Sequence, residues 1–188
     1  MTDPYASPEP VPPSRAPRAM LFVGLFLLGF VGVLGLLFLR APRPPDFVSP
    51  PGYVRISAEQ AGGANLSESR TARLLGIPDV PGWEHAVLRA YGRPPGEPPR
   101  AVVVLAIESS EAQRALEVAV AAADARGERF PTPEGLVGYH DTQDAQGRYV
   151  QRVLFRRGDV VYSVSVLTVR RDEDTSEVVR LAERQRMG

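Results

Sequence analysis

RYVQRVLFRRGDVVYSVSVLTVR, residues 148–170, is the stretch that decides how this chain folds. Two runs rich in Val, Tyr and Phe flank Gly158 and Asp159, and only these two residues separate them. A connection that short between strands is a hairpin turn, with glycine supplying the positive φ of its first position. The spacing predicts an antiparallel pair, Arg148–Arg157 against Val160–Arg170.

Strand signals continue on the N-terminal side. Leu136–His140 is a short strand, set off by a polar turn over Asp141–Gly147. Arg100–Ile107 is a continuous Val-rich run of the kind found in buried sheet positions, and Trp83–Tyr91 alternates as a strand before the breaking cluster Gly92–Pro99. Ser110 with Gln113 reads as a capping box that opens an Ala-rich helix to Arg126, closed by Gly127. Asp174 with Glu177 reads as the cap of a last helix carrying Val178, Leu181, Ala182 and Gln185 on one face. Ser67–Leu75 forms a further helix, stopped by Gly76 and Pro78, and Tyr53–Ile56 is extended. The main elements run β-β-α-β-β-β-α. That order predicts an α+β domain, a mainly antiparallel sheet with its helices on one face.

Ala19 to Leu39 is of another kind: 21 consecutive residues without a polar side chain, 15 of them Leu, Phe or Val. As a helix it is about 31 Å long, which matches the hydrocarbon thickness of a bilayer. A cleaved signal peptide has a shorter apolar core and small residues at the cut, whereas this run leaves through Leu39, Arg40 and Ala41. The organisation expected is a disordered Pro-rich tail at 1–18, a transmembrane helix at 19–39, a stiff Pro-rich spacer at 40–52 and a soluble domain at 53–188. Arginines flank the apolar run almost evenly, so the charge rule does not set its direction. A short tail before an uncleaved apolar segment behaves as a signal anchor, which delivers the C-terminal domain to the extracytoplasmic side of the cell membrane. Gly24, Gly29, Gly32 and Gly35 form a small-residue strip suited to packing on a second helix, from a protein partner or from a second copy.

Composition excludes several functions. The formal net charge is zero and the part from Pro44 onward carries 18 Arg against 20 acidic residues, so no field draws the chain to nucleic acid. There is no Cys, which removes disulfides, thiolate metal sites and thiol nucleophiles. All 22 basic residues are Arg, a usage that fits a GC-rich bacterial genome.

Reactive groups are sparse. His85 and His140 lack HExxH or comparable zinc spacing. Ser109 and Ser110 follow a strand and precede a helix, but Glu108 and Glu111 flank them where a nucleophile elbow has glycines. Asp141, Asp144 and Gly147 lack the remaining ligands of a calcium loop. Arg157, Gly158 and Asp159 belong to turn geometry, and Arg170 to Asp174 form a mixed-charge helix start. Trp83, Tyr149 and Tyr162 are assigned to the core. No motif names a family, a cofactor, a metal or a catalytic residue. The expected function is a membrane-anchored, non-enzymatic extracytoplasmic accessory or sensory domain that binds a protein or envelope ligand. The alternative is a tethered hydrolase or small-molecule binding protein that uses His85, His140 and nearby carboxylates.

Overall fold

Tyr149–Arg157 and Val160–Thr168 pair antiparallel with Arg157 opposite Val160, and Gly158 turns between them at φ 59°. In this computed structural model the described residues are 46–56, 65–94, 100–141, 149–168, 170 and 173–188. The apolar run 19–39, with Gly24, Gly29, Gly32 and Gly35, and the tail at 1–18 lie outside them, as do residues 40–45. Among the described residues no helix is long and apolar enough to cross a membrane.

In chain order the elements are β1 (Val54–Arg55), β2 (Asn65–Leu66), α1 (Glu68–Leu75), β3 (Trp83–Gly92), β4 (Ala101–Ser109), α2 (Ala112–Asp124), β5 (Glu128–Phe130), β6 (Val137–Asp141), β7 (Tyr149–Arg157), β8 (Val160–Thr168) and α3 (Ser176–Met187). The strands form one sheet in the order β1-β3-β4-β8-β7-β6-β5, with β2 also paired to β3. Every pairing is antiparallel. Strands β1, β2 and β5 hold two or three residues each, too few for a period-2 pattern to show in the sequence.

Helices cover both faces of the sheet, which corrects the expectation of one. Alanines 112, 115, 119 and 123 of α2 pack with Leu75 of α1 over Leu105, Ile107, Leu154 and Val161. Val178 and Ala182 of α3 pack with the opposite parity of the same strands, on Val102, Val104, Val153, Phe155, Tyr162 and Val164. The cause is composition: β4 is apolar at both parities and β8 departs from that at Ser163 and Ser165 on the α2 side, so either face left open would expose a row of aliphatic side chains.

Helix ends also depart from the expected caps. Glu111, not Ser110, occupies the N-cap of α2, and its side chain makes no cap bond. Ser109 Oγ does that work, accepting from the Glu111 N–H at 3.0 Å and donating to the Pro81 carbonyl at 2.7 Å. Gln113 turns away to Glu117. At α3, Asp174 accepts from the Ser176 hydroxyl at 2.5 Å and from its N–H at 2.9 Å, and these two bonds, the hydroxyl's foremost, hold its carboxyl below the usual range. Glu177 leaves the cap for Arg100, a charged donor stronger than a backbone amide. Helix α1 ends as expected at Gly76, whose φ of 71° lets its N–H reach the Ala72 and Arg73 carbonyls. A Cβ there would lie 1.7 Å from the Arg126 guanidinium.

Residues 46–52, read from composition as spacer, lie on the domain. Gln185 of α3, 2% exposed, accepts from the Val48 N–H at 2.9 Å and donates to the Asp46 carbonyl at 2.6 Å. One side-chain amide thus satisfies both polarities of the strap, as a neighbouring strand would. Phe47 packs against the α3-side core beneath the Arg89 guanidinium, 5.2 Å from its ring centroid. Tyr53 closes the strap by donating to Glu177 at 2.8 Å, and burial is the main cause raising its pKa.

Replacing Gln185 by Leu should cost at most about 3 kcal/mol in denaturant unfolding, because the strap can peel away and rehydrate its backbone. Hydrogen exchange should accelerate at Val48 while β8 keeps its protection; equal acceleration in both would contradict a separately docked strap.

Candidate functional site

The sheet face beneath α1 is not fully roofed, and register decides what lines the gap. In one row across the sheet Val103 stands opposite Ser165, and Ser165 opposite Arg152; in the next, Leu88 faces Leu105 and Leu105 faces Ser163. Leu74, 40% exposed on α1, overhangs them. The result is an apolar groove of about 150 Å³, completed by Val150 and Leu167. Ligand sites commonly begin near ~300 Å³, so this groove takes one apolar group of a larger molecule rather than a whole cofactor.

Three polar side chains break the apolar lining. The Ser163 and Ser165 hydroxyls meet no hydrogen-bond partner among the described residues. Arg152, with 14% of its side chain exposed, pairs through Nη2 with Asp141 at 2.9 Å and leans on the Leu74 carbonyl through Nη1 at 3.4 Å. Its buried Nε has no partner. Burial lowers the Arg152 pKa, while the Asp141 carboxylate pulls the other way. Arg126 donates to the Leu75 carbonyl at 2.6 Å, so two guanidinia meet the negative end of α1. The groove thus offers apolar walls, two hydroxyls and the flank of one guanidinium. Its lining contains no imidazole or carboxylate to activate either serine.

Next to Arg152 on β6, Tyr139 donates to Asp124 at 3.0 Å and is pushed up to about 12, chiefly by burial and then by that carboxylate. Arg129 binds both Asp124 oxygens, at 2.6 and 2.7 Å, and holds Asp124 below its ordinary 3.8. A carboxyl depressed by folding adds stability above its unfolded value and loses it as pH falls through the folded one.

The residues singled out in the sequence are scattered. His85 Nδ1 lies 2.7 Å from Glu108 Oε2 across β3 and β4, outside hydrogen-bond alignment. His140 tilts against Phe130, ring centroids 5.0 Å apart. Both imidazoles lie on the α3 face, but β3 and β6 are four strands apart, roughly 19 Å at ordinary strand spacing. Among the described residues no group of three His, Asp or Glu could hold a metal. Asp144 and Gly147 lie outside the described residues. Ser110 donates to the Gly82 carbonyl at 3.3 Å. Asp159 accepts the Ser109 N–H at 2.9 Å through its backbone, so the turn after Arg157 serves geometry. Arg157 itself is tied in, donating to the Gln185 carbonyl at 3.0 Å and to Tyr162. Tyr162 is fully buried, Trp83 packs at the edge of the α2-side core and Tyr149 is half-buried, so the three aromatics share no groove.

Compared with known proteins, the chain matches no family model and no curated protein sequence. Among solved structures, the extracellular domain of PknH from Mycobacterium tuberculosis is similar at a TM-score of 0.44 and 12% identity, covering 72% of this chain and 97% of that one.

Arg152→Met should lower stability by about 3 kcal/mol, since it strands the Asp141 carboxylate, and adding Asp141→Leu should recover most of that loss. Independent, additive losses in a double-mutant cycle would show that the pair is not coupled. In acid titrations, Asp124→Asn should flatten the fall in stability below pH 3.8; an unchanged acid limb would remove Asp124 from that account.

Proposed function

We propose that this chain is a membrane-anchored, non-enzymatic extracytoplasmic binding domain of a GC-rich bacterium, acting as an accessory or sensory module. The observation that carries the binding reading is the groove at Ser163, Ser165 and Arg152. Its walls accept an apolar side chain or short acyl group of an envelope ligand or partner protein, while the two hydroxyls meet acceptors beside it. The anchor reading rests on the uninterrupted apolar run at 19–39 and the Pro-rich stretch after it. A binding role also fits the dispersal of His85 and His140, which removes the constellation on which the tethered-hydrolase alternative depended. The small-molecule half of that alternative merges with the present reading, limited by the groove's size to one apolar moiety.

Two measurements test it. Filling the groove with Ser165→Leu should abolish any thermal stabilisation that short-chain acyl or aryl amides give the parent chain; stabilisation unchanged by the substitution would place binding elsewhere. Protease added to intact cells should digest the domain when it is extracytoplasmic, and resistance until the membrane is breached would reverse the orientation.

A further inference from the structure

A second concavity, a wide cleft of about 530 Å³, lies between α3 and the strap at Pro51 and Tyr53. One stripe of the helix forms its wall. Arg180, Arg184 and Met187 succeed one another at helical spacing, with Leu181 beside them. Arg180 and Arg184 are exposed, and neither is ion-paired to a carboxylate among the described residues. Met187, at 78%, is the most exposed of the large apolar side chains among the described residues. On the facing wall the Arg93 guanidinium lies 4.9 Å over the Tyr53 ring. Of the two acidic groups lining the cleft, Glu177 is engaged by Arg93, Arg100 and Tyr53, which leaves Glu183 beside the two arginines of the stripe. Exposed arginines and an exposed methionine on one helical stripe, with a tyrosine on the facing wall, suit a surface that lies in a lipid headgroup layer.

Connectivity identifies the layer. Asp46 is hydrogen-bonded to Gln185, the residue after Arg184, and only residues 40–45 separate it from the apolar run. Fully extended, that link reaches about 25 Å. We infer that Arg180, Arg184 and Met187 dock on anionic phospholipid headgroups beside the chain's own bilayer crossing. This surface is distinct from the groove, and its docking rests on residues 19–39 crossing a bilayer.

Because the chain has no Cys, Met187→Cys gives a single site for an environment-sensitive fluorophore on the full-length protein. In phosphatidylcholine vesicles containing phosphatidylglycerol the label should shift to the blue relative to phosphatidylcholine alone, and added salt should reverse the shift. The same label at Glu117→Cys, on α2 across the sheet, should not respond. Arg180→Glu and Arg184→Glu should each reduce the docked fraction about fivefold or more. Identical spectra in the two lipids, a shift that survives both charge reversals, or a shift produced by inorganic phosphate in phosphatidylcholine vesicles would each overturn the docking. Protein that fails to float with the vesicles would overturn the crossing itself; protein that floats with an unresponsive label overturns the docking alone.

Discussion

Everything described rests on two central strands that carry apolar side chains on both sides. β4 and β8 are paired in mid-sheet, and each sends apolar side chains both ways: Val102, Val104 and Ala106 toward α3, Leu105 and Ile107 toward α2, with Tyr162, Val164 and Val166 answering Val161 on β8. Burying one such aliphatic side chain contributes about 1.5 kcal/mol or more, so an uncovered face would cost more than one missing helix could offset. The two roofs differ in kind. Alanines let α2 approach its side of the sheet closely, whereas α3 brings Val178, Ala182 and a buried glutamine.

Much of this was legible. The hairpin about Gly158 and Asp159, the long strands and the three helices follow from period, turn chemistry and glycine stops, because those signals are local. The side of the sheet taken by α3 was not read, although the unbroken Val-rich run in β4 already implied burial on both faces. The caps depart from expectation because Ser110 and Glu177 have partners that sequence distance conceals: Gly82 is 28 residues from Ser110, and Arg100 is 77 from Glu177.

The groove was harder to see than the fold. Its lining comes from α1 and four strands, and only the cross-strand register sets Ser165 beside Arg152. One local trace existed: Ser163 and Ser165 are successive polar positions on one parity of a strand otherwise apolar there and across it. Histidines, serines near a helix start and acidic loops drew more notice because their chemistry is conspicuous one residue at a time. A binding surface made of aliphatic walls has no such marker.

The strap has a mechanical meaning. Tension applied at Asp46 falls on the Gln185 amide and the Tyr162 hydroxyl, a few side-chain hydrogen bonds rather than a ladder. Bonds opened a pair at a time yield at lower force than a ladder sheared along its length. These side-chain contacts are therefore a fuse: pulling at Asp46 strips the strap from α3 while the eight-stranded sheet stays whole.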